Sequence, residues 1–174
     1  MKRFAAIAFA LCLAVGLKAQ GLEMLDKVKD CRAVFHYTYM LSKGGADFTS
    51  VTDGDVTVED NAYVLEGLGL TVTSDGITRL SVDPDAKEAV VETVEKEDVF
   101  TNPALFIGSW RKYASRLKVN SYSKDSMDVT LTLDDDTLAR FILTGIKFTE
   151  KQGLCDFCTD LSSLPSDYLI TDLR

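Results

Sequence analysis

A C-x-x-C motif and a single histidine are the features of this chain best suited to chemistry. Cys155 and Cys158 form the motif C-D-F-C, Cys31 lies far upstream, and His36 is the only histidine. In an oxidising compartment such a motif can be a redox-active dithiol, but redox sites usually follow a strand and open a helix in a thioredoxin-like alternation. Here the motif ends a run of strands. This position favours a structural disulfide, either within the motif or from Cys31 to one of its cysteines.

Other catalytic and metal-binding arrangements depend on too few residues. Zinc would need a fourth ligand beside the three cysteines, and His36 alone could supply it. A Ser-His-Asp triad would also depend on His36, and no serine lies in a G-x-S-x-G motif. The run 134–136 (D-D-D) lacks the spaced ligands of a calcium-binding loop, so a solvated hairpin turn is predicted there. We therefore expect a protein that is not an enzyme and that has no cofactor and no metal.

The N-terminal residues indicate export. Two basic residues precede the apolar run 4–17, and Ala19 is small enough to stand before a cleavage point. The run is about 14 residues long, shorter than the roughly 20 residues of a membrane-spanning helix. Residues 1–19 are interpreted as a cleavable signal peptide and residues 20–174 as one exported domain.

The charge of the exported chain excludes two classes of partner. Cleavage would leave 16 basic residues against 27 acidic ones, a net charge of −11. Nucleic acids and anionic membrane surfaces are bound through clustered Lys and Arg, so neither is expected as a partner. About 155 residues are enough to bury a core as one domain, and a monomer is expected.

Most of the chain alternates with the period of β-strands. Between residues 31 and 41, Phe35, Tyr37 and Tyr39 alternate with His36 and Thr38, which predicts one aromatic face and one mixed face. Similar alternation at 55–59, 63–66, 68–72, 79–82 and 89–94 is separated by Gly, Asp and Pro turn residues. We predict an up-and-down antiparallel sheet, completed by strands at 127–133 and 138–148.

Two helices interrupt this pattern. Leu22, Leu25 and Val28 are three residues apart and predict a short amphipathic helix that ends near residue 30. Asn102 and Pro103 are typical of a helix start. The second helix is predicted over 103–117, and its apolar stripe contains Phe106, Ile107, Trp110, Ala114 and Leu117.

Four segments resemble, in order, parts of the LolA-like periplasmic carriers of outer-membrane lipoproteins. They are "GDVTVEDNAYVLEG" at 54–67, "SDGITRLSVDPDAKEAVV" at 74–91, "TNPALFIGSW" at 101–110 and "LPSDYLITDLR" at 164–174. The chain between 118 and 150 is shorter than in that family by about one hairpin, so the resemblance is to a shortened member.

The resemblance implies a fold and a function. The fold would be mainly β with α: a strongly curved antiparallel sheet, an incomplete or half barrel, with helices covering its concave face. The function would be to carry acyl chains of lipoproteins, or another amphiphile, through the periplasm to the outer membrane. An inner-membrane exporter and an outer-membrane acceptor would be its partners. Asp60 stands where family members have an arginine that holds the lid closed, so that latch is not expected here.

Cavity lining and core would be the same residues in such a fold. The predicted ligand-binding residues of cavity and lid are Leu25, Val28, Phe35, Tyr37, Val56, Val58, Tyr63, Leu65, Leu80, Val82, Phe106, Ile107, Trp110 and Leu131. Two further hypotheses remain beside the carrier. One is a periplasmic sensor or interaction module with the same fold, and the other is a C-x-x-C thiol oxidoreductase.

Overall fold

The computed structural model describes residues 22–94, 106–108 and 110–174. The predicted signal peptide and the predicted helix start at Asn102 and Pro103 lie outside these residues. The strands are β1 Arg32–Lys43, β2 Thr49–Glu59, β3 Ala62–Gly67, β4 Leu70–Ser74, β5 Thr78–Asp83, β6 Glu88–Thr93, β7 Leu117–Tyr122, β8 Met127–Thr132, β9 Thr137–Thr149 and β10 Leu169–Asp172. Helical residues are 22–26, Lys27–Lys29, 106–108, Trp110–Arg116, Leu154–Phe157 and Leu161–Ser163.

The ten strands of the described residues belong to one open sheet in the order β10-β6-β5-β4-β3-β2-β1-β9-β8-β7. Neighbours are antiparallel except β10, which pairs with β6 in parallel. The predicted mainly β fold and the antiparallel meander are therefore confirmed.

Aspartates build the turns of the meander as their sequence context predicts. Asp75 Oδ1 accepts hydrogen bonds from the backbone N–H groups of Ile77 and Thr78, and Gly76 takes a φ of 91°. Asp83 Oδ1 accepts from Asp85 N and from the backbone of the next residue in the same way. Such side-chain to backbone bonds are the reason that Asp is favoured in turns. The aspartate run 134–136 also forms a turn, between β8 and β9.

The second half of the chain returns to the first strand. β9 pairs with β1, so β7, β8 and β9 extend the sheet on the side of β1 opposite to β2. The prediction of one helix to residue 117 was wrong at its end, because Leu117 is the first residue of β7 and lies opposite Leu131. The spacing of apolar residues over so short a segment fits either a helix end or a strand start.

Each face of the sheet is buried by a different part of the chain. One face, which we call the aromatic face, carries Phe35, Tyr37 and Tyr39 of β1 and belongs to the large core cluster. The same cluster contains Leu22, Leu25 and Val28 of the helical segment 22–29 and Phe106, Ile107 and Trp110 of the helical segment 106–116, in which residue 109 is not described. Ala114, which was predicted on the apolar stripe, is exposed. The opposite face is buried at β5 and β6, where Leu80, Ala89 and Val91 pack with Leu161, Leu164 and Tyr168 of the C-terminal segment. Among the described residues, no helix is long and apolar enough to cross a membrane.

Candidate functional site

Most of the sequence-predicted ligand-binding residues meet in the core cluster of the aromatic face. β1 contributes Phe35 and Tyr37, and β2, β3 and β8 contribute their inward positions. Each of these side chains is at most 8% exposed. The residues brought together are Leu25, Val28, Phe35, Tyr37, Val56, Val58, Tyr63, Leu65, Phe106, Ile107, Trp110 and Leu131.

Leu80 and Val82 do not belong to this cluster, which corrects the prediction that grouped them with it. Cross-strand pairs join Tyr63 to Ser74 and Ser74 to Arg79, so Arg79 lies on the aromatic face. Leu80 is the next residue and therefore points to the opposite face. There it is buried against the C-terminal segment, with Val82 beside it. In the sequence, the alternation along β5 predicts which β5 residues share a face. It does not predict which of the two β5 faces is the one that carries Tyr63 of β3.

Aromatic rings pack between helical residues 106–108 and the sheet. The ring of Phe106 stacks on Phe141, with centroids 4.0 Å apart. Phe141 also stacks on Tyr39 at 5.2 Å and contacts Tyr37 at 6.3 Å. These rings give the centre of the aromatic face the dense packing of a protein core.

Tyr37 places a polar atom in this apolar interior. Its hydroxyl is fully buried and has no hydrogen-bond partner among the residues that the structure describes. Burial raises the pKa of Tyr37 well above its usual range, and the neighbouring Tyr39 and Tyr63 add to the shift. A buried hydroxyl without a partner destabilises a protein by about 1–3 kcal/mol.

The residue opposite Tyr37 on β2 is a glycine, Gly54. A methyl group at Gly54 would overlap the carbonyl oxygen of Glu66 and the Cα of Gly67, because the backbones of β2 and β3 approach closely there. Only glycine fits such an approach without a shift of the backbone, so no β2 side chain competes with the tyrosine at this position.

Asp26 connects the two helical segments of the aromatic face. One of its carboxylate oxygens accepts hydrogen bonds from Trp110 Nε1 at 3.2 Å and Arg111 Nε at 3.3 Å. The other oxygen forms an ion pair with the Arg111 guanidinium. The guanidinium also lies 4.6 Å from the centroid of the Trp110 ring. We call these three residues the Asp26 latch, because they join the segments 22–29 and 106–116.

An open hollow continues the aromatic face beyond the helical segments. Its volume is about 310 Å³, and it shares Leu65 with the core cluster. Cross-strand pairs place Leu65, Val72 and Ser81 in one row on the same face. Its other lining residues are Val51, Thr52, Gly67, Leu68, Leu70, Arg79 and Glu92. We call this space the apolar hollow.

Leu68 stands at the rim of the apolar hollow in an unfavourable backbone conformation. It forms the two-residue turn between β3 and β4 with Gly69, and their φ angles are 55° and 78°. Turns with two positive φ values favour Asn-Gly or Gly-Gly. A left-handed conformation costs other residues roughly 1–2 kcal/mol. The side chain of Leu68 is also 67% exposed, so burial does not offset this cost.

The cysteines form no disulfide among the described residues, and the structural disulfide that we predicted is therefore corrected. Cys31, Cys155 and Cys158 are all free. Cys155 lies within the 3-10 helix Leu154–Phe157, whereas Cys158 continues from it with extended backbone angles. Both thiols are exposed, while Phe157 between them is fully buried. Disulfide geometry requires closely spaced Cα atoms as well as suitable Cβ directions, and sequence spacing specifies neither.

A buried ion pair, which sequence reasoning missed, anchors the C-terminal segment to the opposite face. Arg32 Nε donates to Glu59 at 2.8 Å, and Arg32 Nη1 donates to Asp156 at 2.6 Å. The Glu59 carboxylate also accepts from the backbone N–H groups of Gln152 and Gly153. Burial acts to raise the pKa of Glu59, but these hydrogen bonds outweigh it and the pKa lies below its usual range. No hydrophobic pattern marks such a pair in a sequence.

His36 lies on the opposite face between two carboxylates. Its Nδ1 is 3.0 Å from Asp55 and its Nε2 is 3.1 Å from Asp53. The hydrogen bond with Asp55 is the main cause that raises the pKa of His36; burial lowers it, and the charges of Asp53 and Asp55 raise it further, so the pKa lies above its usual value. Within the described ranges, no group of three or more His, Cys, Asp or Glu side chains has a geometry that could hold a metal.

No protein-family model matches the chain, and no curated protein matches it significantly. The resemblance to the lipoprotein carriers therefore depends on the four sequence segments quoted above. The candidate site is defined by its geometry: the aromatic face, the Asp26 latch and the apolar hollow.

Proposed function

We propose that this protein is a periplasmic carrier that holds acyl chains of lipoproteins, or of another amphiphile, against the aromatic face. In this proposal the sheet is a strongly curved half barrel, and the helical segments 22–29 and 106–116 are a lid over its concave side. An inner-membrane exporter would load the protein, and an outer-membrane acceptor would unload it. The carrier would catalyse no reaction.

The observation that carries the proposal is the continuity of the aromatic face with the apolar hollow. Leu65 and Val72 connect the buried cluster to a space open to solvent. Val51, Leu68 and Leu70 remain 40% or more exposed at its wall. Stability does not account for a strained and exposed leucine at position 68. A bound hydrocarbon would cover these side chains, and strain stored at a binding site is a recognised cost of function.

The size of the hollow indicates how much of the lid must move. Ligand pockets usually measure about 300–1,000 Å³, and the hollow of about 310 Å³ lies at the lower end. An acyl chain of about 16 carbons represents roughly 12 kcal/mol of apolar transfer free energy, at about 0.8 kcal/mol per methylene. This energy would offset much of the cost of moving the side chains that fill the aromatic face. We therefore expect the hollow to receive the chain first and the lid to lift as it advances.

The Asp26 latch suits a lid that must open. The side chains of Asp26 and Arg111 are 25% and 62% exposed. Ion pairs in contact with water contribute little, typically 0–1 kcal/mol. The latch would orient the two segments relative to each other and would still yield to an entering chain.

Direct lipid binding tests the proposal. Trp110 is the only tryptophan and is buried at the latch, so its fluorescence should change when an acylated peptide lifts the lid. Organic extracts of gently purified protein should also contain lipid at a fixed stoichiometry. No extracted lipid, together with unchanged Trp110 emission at saturating acylated peptide, would overturn the proposal.

A matched pair of variants locates the binding surface. Leu68 and Ile77 are both exposed apolar residues, 67% and 73% respectively, but only Leu68 lines the hollow. Leu68→Asn should weaken acyl binding by up to roughly tenfold, because a buried CH₂ contributes about 0.8 kcal/mol. It should also raise stability by roughly 1 kcal/mol, because Asn tolerates the left-handed turn. Ile77→Asn should change neither the affinity nor the turn strain, and equal losses in both variants would argue against the hollow.

A further inference from the structure

The ligand-free core contains a hydrogen-bond donor that nothing in the described structure uses. The Tyr37 hydroxyl is buried, and the Tyr37 ring contacts the rings of Phe35 and Phe141. Phenylalanine would fill the same space without a polar atom to bury. The preceding residue on the same face of β1, Phe35, is a phenylalanine. A stable core alone therefore gives no reason for a hydroxyl at position 37.

We infer that Tyr37 donates a hydrogen bond to a carbonyl oxygen of the bound molecule, so that the ligand is an acyl ester or amide rather than a bare hydrocarbon. This inference depends on the proposed function and specifies the chemical class of its ligand. The donor is available because the hydroxyl has no partner among the described residues. A carbonyl that enters with the acyl chain once the lid has lifted would accept this hydrogen bond.

The surroundings of Tyr37 distinguish an ester or amide from a free fatty acid. The residues opposite Tyr37 are Gly54 on β2 and Leu143 on β9, and neither carries charge. Arg79, the cation that lines the apolar hollow, is paired with Glu92 at 3.0 Å. A carboxylate without a cation is expensive to bury, whereas a neutral carbonyl with one donor is not. The site is therefore suited to the linkage between an acyl chain and its glycerol or amine.

Three ligands with the same chain length test the inference: methyl hexadecanoate, hexadecanoic acid and hexadecane. Affinity is measured by the change in Trp110 emission, and the carbonyl stretch of carbon-13-labelled ester reports hydrogen bonding directly. Wild-type protein should bind the ester more tightly than hexadecane or the acid. Tyr37→Phe should weaken ester binding roughly three- to tenfold, as expected for one hydrogen bond, and should leave hexadecane binding unchanged.

Two further measurements separate a ligand contact from a general packing effect. Tyr37→Phe should raise the unfolding midpoint of the ligand-free protein, because it removes the orphan hydroxyl, and should shift the ester carbonyl stretch to higher frequency. Tyr168→Phe makes the same chemical change on the opposite face and should alter neither the ester affinity nor the carbonyl stretch.

The outcomes distinguish this inference from the function on which it depends. Equal binding of ester and hexadecane, unchanged by Tyr37→Phe, overturns the inference and leaves the carrier proposal in place. Binding of none of the three ligands overturns both. Tighter binding of the acid than of the ester also overturns the inference, because it would mean that a cation, and not the Tyr37 hydroxyl, binds the polar end of the ligand.

Discussion

At the scale of single residues, His36 illustrates how a residue type suggests chemistry that its surroundings redirect. It is the only histidine and was therefore the only candidate for the base of a catalytic triad or for the fourth ligand of a zinc ion. The structure places it on β1, where both ring nitrogens are within hydrogen-bond distance of carboxylates on β2, those of Asp53 and Asp55. Thr38 donates to the second oxygen of Asp53 at 2.8 Å. The arrangement is a cross-strand polar cluster that a protonated imidazole stabilises.

We predict that this cluster makes stability depend on pH in one direction. The pKa of His36 is raised by its aspartates, so its contribution is complete below the unfolded value of about 6.5 and is lost as pH rises through the higher folded value. Wild-type protein should therefore lose a little stability between pH 6 and 9. His36→Gln should remove this dependence, and an NMR titration should give a folded pKa above 6.5. A folded pKa below 6.5 would contradict the prediction.

At the scale of elements, the buried pair of Arg32 and Glu59 attaches the C-terminal segment to the sheet. The two residues lie at the start of β1 and the end of β2, and their side chains are 7% and 2% exposed. The Arg32 guanidinium also lies over the ring of buried Phe157 at 5.2 Å. After Phe157 the chain continues to Leu161 and Leu164, which pack against β5 and β6. It then forms β10, which pairs with β6 in parallel.

Glu59→Gln should destabilise the protein by about 3 kcal/mol, because it leaves the positive charge of a buried guanidinium only partly compensated. The pKa of Glu59 is lowered in the folded state. Its contribution is therefore present above the unfolded pKa of about 4.3 and is lost as pH falls through the folded value. Urea unfolding at pH 7 and pH 3 should show a smaller difference between variant and wild type at pH 3. The exposed Glu88→Gln is the control, and an equal loss there would contradict this account.

The Asp26 latch predicts a second effect at this scale. Asp26→Asn keeps the shape of the side chain but removes the charge that holds Arg111. We expect Trp110 emission to shift to longer wavelength and its quenching by acrylamide to increase, with a stability loss below about 1 kcal/mol. Asp167→Asn breaks the exposed pair with Lys87 and should leave Trp110 unchanged. Unaltered quenching in Asp26→Asn would show that the latch does not hold the lid.

At the scale of the whole molecule, the sequence predicts the sheet better than the layers around it. Period-two alternation and Asp-Gly turns are local signals, so the meander from β1 to β6 follows from them. The assignment of Leu80 to a face depends on the length of the turn at 75–77, because one residue more or fewer in a turn moves the side chains of the next strand to the other face. The free hydroxyl of Tyr37 and the pair of Arg32 with Glu59 depend on residues distant in the chain. No local pattern contains them.

The acidity of the whole chain predicts how a loaded carrier would release its ligand. The formal net charge is −8 for the full chain, so an anionic membrane should repel the protein. The screening length falls from about 30 Å at 0.01 M salt to about 10 Å at 0.1 M. Transfer of an acylated peptide to vesicles with anionic lipids should therefore become faster as salt increases, whereas transfer to neutral vesicles should stay constant. Transfer to anionic vesicles that slows with salt would instead reveal a basic docking surface and contradict the prediction.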